Sequence, residues 1–342
     1  ADIVPIERPG GKPPRTFFTN SGTEADETAV LTARLYTGHQ EVIALRHAYS
    51  GRSAMAMSLT ANAAWKHGSM LSGIRHAHNA YCYRCAFGLT YPSCELRCAR
   101  DMEELIQTET GGKVAALLAE PIQGVGGFIT PPPEFFGIVV DIVRRHGGIF
   151  ICDEVQTGFG RTGDKWCGIE HWGVKPEIVT FAKGIANGLP MGATVARADV
   201  AASFTGLSIS TFGGNPLSCE AARATIDVIR GEDLARNARV AGEILRDGLL
   251  ELALKHQLIG DVRGMGLMQG VELVRDRKTK EPAKEELGRL FEATRKRGLL
   301  IGKGGLYGNV IRISPPLTIG KADVEEALRI LEAAFTEVEA SR

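Results

Sequence analysis

Lys183 stands in "IVTFAKGIANGLPMGA" (residues 178–193), at the end of an apolar run, Ile178, Val179, Phe181 and Ala182, that reads as a strand covered on both faces. A lysine there either snorkels past the strand end or has lost enough proton affinity by desolvation to act as a nucleophilic amine. Asp153 closes a second such run, "GIFIC". A carboxylate buried there costs several kcal/mol unless a cation meets it, either a salt-bridge partner or the protonated ring nitrogen of a heteroaromatic ligand. A third stretch, "NSGTEADE", places Ser21, Gly22 and Thr23 at a helix start. Free first-turn amides, the positive dipole end and a glycine permitting close approach make a phosphate cradle, while Ser21 with Glu24 also reads as an ordinary capping box. An amine able to form an imine, a carboxylate for a ring nitrogen and a phosphate cradle together describe one ligand, pyridoxal 5′-phosphate.

These residues need a scaffold that brings strand ends together. Strand-like runs "TFFTN", "EVIALR", "VAALLAE", "GIFICDE", "IVTFAK" and "GATVAR" alternate with helical stretches at 24–36, 101–108, 134–146 and 215–229. Such alternation predicts an α/β fold with a mainly parallel sheet. In open α/β sheets ligands bind beyond the carboxyl ends of strands, and there the sequence collects Ser21, Tyr49, Glu120, Asp153 and Lys183. After residue 230 charged amphipathic helices (232–256, 284–298, 321–340) surround only "GLMQGVEL", "LLIG" and "VIRIS". That texture predicts a smaller α+β domain over 231–342 behind a large α/β domain over 12–230, with 1–11 as an N-terminal segment.

The chain's 342 residues and 44% hydrophobic content suffice for such a core. Lys+Arg 40 balances Asp+Glu 40, so no net field favours nucleic acid or an anionic membrane surface, and a small-molecule partner is expected. No stretch has the length and apolarity of a membrane span, and "ADIVPIERPGG" lacks a signal-peptide pattern. The expectation is a cytoplasmic protein. Cys82, Cys85, Cys94 and Cys98 cluster in "YCYRCAFGLTYPSCELRC", whose spacing admits a tetrahedral metal, a local disulfide or free thiols. Cys152, Cys167 and Cys219 read as packing residues.

"NSGTEADE", "AEPIQG", "DEVQTGFGRTG", "FAKGIANGLP", "TFGGNP" and "VIRISPPL", in this order, resemble the class III (omega or ornithine-type) aminotransferases among the fold-type I pyridoxal-phosphate enzymes, from about residue 16 to the C-terminus. The resemblance implies that Lys183 holds the cofactor as an imine and shuttles the proton at Cα. It implies that Asp153 pairs with the pyridine nitrogen, that Gln156 contacts the ring hydroxyl, and that Val155 and Tyr49 sandwich the ring. Ser21, Gly22 and Thr23 would bind the phosphate, and Thr211 would reach the phosphate held by a partner subunit. A homodimer with shared active sites, or a tetramer, is the implied assembly. Arg312 matches the arginine that grips a substrate carboxylate; its alternative is a strand-end surface arginine.

Departures from that pattern refine the expectation. Family members that handle ω-amino groups often carry a glutamate that neutralises this arginine, where the present chain reads "GVGG" with Val125. Arg312 should then stay available, which tilts the expected chemistry towards transfer of an amino group from a small amino acid or amine to pyruvate or glyoxylate. Decarboxylation or aminomutation on the same fold is the alternative. Ser50 stands where a histidine is usual and Asp26 where an asparagine is usual. Only residues 1–20 precede Ser21, against on the order of a hundred in the family, so a stretch is expected to be absent near Gly11 and Lys12.

Overall fold

A computed structural model describes residues 3–341. They cluster into two compact units: residues 3–121, 131–159 and 165–231 in the first, and residues 122–130, 160–164 and 232–341 in the second. Two short segments from the middle of the chain thus belong with the C-terminal unit. No helix among the described residues is long and apolar enough to cross a membrane.

The first unit is built from β1 (Arg15–Thr19), α1 (Gly22–Thr37), β2 (Val42–Leu45), α2 (Ala54–Leu59), β3 (Ile74–Ala77), α3 (Arg97–Glu109), β4 (Ala116–Ala119), α4 (Phe135–Arg145), β5 (Ile149–Asp153), β6 (Ile178–Phe181), β7 (Gly192–Ala196), α5 (Ala198–Ala202) and α6 (Pro216–Gly231). Its seven-stranded sheet runs β1-β7-β6-β5-β4-β2-β3. Pairing is parallel from β6 through β3, while β7 is antiparallel to both of its neighbours. Two reversals cancel, so β1 points the same way as β6 and its end faces the same edge. Strands β2, β4, β5 and β6 are buried throughout, which explains their unbroken apolar runs. Helix α1 lies close on the sheet because Ala25, Ala29 and Ala33, spaced by four, present a small-residue face that is fully buried.

The second unit contains α7 (Leu234–Lys255), β8 (Ile259–Met265), β9 (Met268–Leu273), α8 (Lys284–Lys296), β10 (Gly302–Gly304), β11 (Val310–Ile313) and α9 (Lys321–Ala340). Its sheet, β10-β11-β9-β8, is wholly antiparallel. Leu245, Leu249, Leu287, Leu290 and Phe335 supply its core from the three helices. The expected "LLIG" strand does not form. Pairing begins at Gly302, and Leu300 is 82% exposed, because the register that joins Gly302 to Arg312 leaves the preceding leucines outside the ladder. Strands β3 and β8 were not expected from the sequence.

Candidate active site

At the common edge of the first sheet, register sets the geometry. Asp153 pairs with Thr180 across β5 and β6, so the chain beyond Asp153 (Glu154, Val155, Gln156) runs beside Phe181, Ala182 and Lys183. Asp153 is 4% exposed, and its Oδ1 accepts the Val155 N–H at 2.9 Å. Burial pushes its carboxyl up, opposed by the Val155 N–H and by the Lys183 charge. Lys183 is exposed and opens a short 3-10 turn (Lys183–Ala186) at φ 46°, a left-handed conformation costing a lysine about 1–2 kcal/mol. Its Nζ donates to Gln156 Oε1 at 3.2 Å. Strain of this kind persists where surroundings impose it, as at functional sites.

Glu154, absent from the sequence-derived candidates, holds this loop. Fully buried, it accepts from Thr157 Oγ1 at 2.5 Å and from the N–H groups of Gly168 and Ile169, each at 2.8 Å. Adjacent acids in "CDEV" gave no hint that one faces the loop's interior and the other the site.

The start of α1 is pressed onto the same edge. A Cβ on Gly22 would lie 3.2 Å from Val155 Cγ1 and 3.6 Å from Ala182 Cβ, so only glycine allows this approach without displacing its neighbours. Both readings of Ser21 meet here. Its Oγ accepts the Glu24 N–H at 3.2 Å and its carbonyl the Ala25 N–H at 3.1 Å, as a cap should. Glu24 reaches back to the Asn20 N–H at 2.8 Å rather than to Ser21. Among the described residues this leaves the Gly22 and Thr23 N–H groups without a protein acceptor, which is the pair a phosphate would use. Thr23 packs against Gly51, where any side chain would collide with the threonine hydroxyl.

Tyr49 follows β2 and donates its N–H to Glu120 Oε1 at 3.2 Å beyond β4. Its ring meets Trp65 edge-on at 5.1 Å, a contact no sequence spacing announced. Ser50 is buried, and its hydroxyl has no protein partner among the described residues. Thr211 lies on an exposed turn; the preceding Ser210 accepts from Asn20 Nδ2 at 3.3 Å. Ser21, Gly22, Val155, Gln156, Asp153 and Lys183 are therefore brought together, while Thr211 faces outward.

A pyridoxal-phosphate-like group fits what these residues present. Two orphaned amides at a helix start suit a phosphate, a buried carboxylate without a protein cation at bonding distance suits a ring nitrogen, and an exposed amine beside a glutamine suits an aldehyde.

Within the second unit, Arg312 on β11 is half-buried. Its Nε donates to the Lys303 carbonyl at 3.0 Å and its Nη1 to the Gly124 carbonyl at 3.2 Å, and the guanidinium lies 5.7 Å from the Phe128 ring centroid. Gly304 separates it from Val125: a Cβ there would be 2.7 Å from Arg312 Cδ and 3.2 Å from the Val125 carbonyl. These bonds hold the guanidinium in place.

The cysteine cluster does not form the metal site its spacing admits. Among the described residues no three His, Cys, Asp or Glu side chains are arranged to hold a metal. Cys82, Cys85, Cys94 and Cys98 form no disulfide among the described residues. The Cys98 thiol is pushed up to about 12 by burial and then by Cys82 and Cys85, so it stays protonated at neutral pH.

The family described as Aminotransferase class-III matches residues 4–335. The chain is 45% identical over 323 residues to alanine–glyoxylate aminotransferase 2 homolog 2, mitochondrial, of Arabidopsis thaliana, covering 94% of this chain and 67% of that protein. It is 40% identical over 346 residues to the leucine/methionine racemase of Thermococcus litoralis, covering 100% of this chain and 76% of that protein. Among solved structures, an amine transaminase from an uncultivated Pseudomonas species in its PLP-bound form superposes with a TM-score of 0.89 at 34% identity, covering 94% of this chain and 77% of that one.

Proposed function

The chain belongs to the class-III aminotransferase family, whose cofactor is pyridoxal 5′-phosphate, and we propose that it moves the amino group of a small amino acid to a 2-oxo acid such as pyruvate or glyoxylate. The observation that carries this reading is the row of groups at one sheet edge: Lys183 beside Gln156, Asp153 buried without a cation, and Gly22 pressed against Val155. Pyridoxal phosphate, when bound, supplies an aldehyde that condenses with amines and a ring that withdraws electrons from the adjoining carbon. Lys183 Nζ would hold the aldehyde and, when free, would take the donor's α-proton and return it to the cofactor carbon. Asp153 would keep a proton on the ring nitrogen. Gln156 would orient Nζ and the ring hydroxyl, Val155 and Tyr49 would hold the ring by its faces, and Ser21 with the Gly22 and Thr23 amides would take the phosphate.

Arg312 is proposed to bind the substrate carboxylate, a task suited to a planar guanidinium, and Val125 brings no side-chain carboxylate to compete for it. A substrate lacking a carboxylate would forgo that ion pair. The assembly is proposed to be a homodimer in which Thr211 reaches the partner's phosphate. Leu207, Ile209, Phe212 and Leu217, each at least 69% exposed, are apolar surface of the kind such a contact covers. A cytoplasmic location remains part of the proposal.

A donor and acceptor panel tests it. Alanine with pyruvate or glyoxylate should exceed 1-phenylethylamine in kcat/KM. Release of carbon dioxide, isomerisation of the substrate without an acceptor, or loss of optical purity without net transfer would replace transamination by decarboxylase, aminomutase or racemase chemistry respectively.

A further inference from the structure

Asp26 is an acid buried where nothing in the reaction described so far calls for one. It sits one turn into α1, 1% exposed, with its side chain against the sheet. Thr180, fully buried on β6, donates its hydroxyl to Asp26 Oδ1 at 2.8 Å. The other neighbour is Asp153, which pairs with Thr180 in the sheet register, so the two buried acids flank the same threonine. Ionised carboxylates have only acceptors, so a direct hydrogen bond between the two needs a proton on one of them. Two like charges so close and so buried could not both persist.

The surroundings decide which acid keeps the proton. Asp26 accepts from Thr180 Oγ1, and the Asp153 and Glu120 charges both act on it. Burial, then the Asp153 charge, holds its carboxyl well above the ordinary range. Asp153 is raised by burial too, but the Val155 N–H, the Lys183 ammonium and the Asp26 hydrogen bond all pull it down. A backbone N–H bonds Asp153 and so favours its ionised form, whereas Asp26 accepts from a hydroxyl in full burial; the arrangement favours the proton on Asp26.

We propose that Asp26 is a positioning residue: as a neutral acid it donates its carboxyl proton to Asp153, fixing how Asp153 is turned and keeping Asp153 the ionised partner of the cofactor's ring nitrogen. This rests on the function proposed above. A less basic Asp153 leaves the shared proton on the ring nitrogen, where it is needed. An asparagine could donate in the same place, but only the acid does so by carrying a titratable proton.

Isotope-edited infrared spectra of the full chain, with aspartate carboxyls labelled with carbon-13, are recorded with and without added pyridoxal phosphate at neutral pH. A protonated aspartate C=O band should be present in the wild type, absent from Asp26→Asn and kept in Asp153→Asn. Absence from the wild type, or survival in Asp26→Asn, overturns the assignment. Cofactor affinity read by absorbance titration supplies the second arm. Asp26→Ala should weaken it about tenfold, the scale of one lost hydrogen bond to a charge, and Asp26→Asn should recover most of that loss. Equal losses in both variants, or none in either, overturn the positioning role. Failure of the wild type to take up pyridoxal phosphate would sink the proposed function and the role with it, whereas the infrared result decides the shared proton independently.

Discussion

Each unit buries carboxylates, and treats them in opposite ways. In the second unit Glu272 is fully buried on β9 and meets Arg263 Nη1 at 2.8 Å, while Arg263 Nη1 also reaches Asp261 at 2.6 Å and its Nε the Gly127 carbonyl at 2.9 Å. Glu272 thus has a protein cation bonded to it. In the first unit Asp153 is nearly as buried, but among the described residues it is bonded by the Val155 amide and neighboured by a second acid. A folded chain that gives one buried carboxylate a bonded cation and, among the described residues, leaves another without one has reserved the second for a ligand's positive charge. The contrast separates a structural carboxylate from a functional one more sharply than burial alone, since both are buried.

Breaking each carboxylate's arrangement should therefore give opposite signatures. Arg263→Leu strands Glu272 and should lower folding stability by about 3–5 kcal/mol in chemical denaturation. Asp153→Asn removes a buried charge that no protein cation balances. It should leave stability unchanged or higher, yet reduce turnover about 10²–10³-fold. If Asp153→Asn destabilised the chain as much as Arg263→Leu and spared turnover, the distinction would collapse.

Arg312 offers a smaller effect. Two of its donors already serve the Lys303 and Gly124 carbonyls, so Arg312→Ala should raise KM for pyruvate roughly ten- to a hundredfold with a lesser change in kcat. Unchanged KM would assign the arginine to holding the β10–β11 hairpin alone.

The smallest expected effect is on pH dependence. Asp26 is raised above its ordinary value of 3.8, so the stability it contributes is fully present below that value and is lost as pH rises towards its folded-state value. Asp26→Asn carries no such loss. Its stability relative to the wild type should climb as pH increases above about 4, and a falling difference would mean that Asp26 is ionised in the folded chain.

Much of this was legible in the sequence because strand ends announce themselves. The buried runs that became β2, β4, β5 and β6 stop at polar residues, so Tyr49, Glu120, Asp153 and Lys183 could be collected before any fold was known. What could not be read depended on register and side-chain direction. Strand β3, "IRHA", is short and partly polar, and β8, "IGDVRGM", carries two glycines and two charges, so neither showed a strand's alternation. The Asp26–Asp153 contact follows from the pairing of Asp153 with Thr180 and from the inward face of α1, neither of which spacing alone determines. The Trp65 contact with Tyr49 is likewise tertiary. The cysteine spacing left a metal, a disulfide and free thiols open, since a motif fixes residue order and not the bonds its side chains make.

The central claim is that Lys183 is the amine reserved for the cofactor, and chemical trapping tests it most directly. The chain is incubated with pyridoxal phosphate, reduced with borohydride and digested, and the modified peptide is identified by mass spectrometry. The account predicts a single phosphopyridoxyl group on Lys183, abolished in Lys183→Ala together with the visible absorbance of the bound cofactor. A modification on a different lysine, or equal labelling of Lys183→Ala, would contradict it.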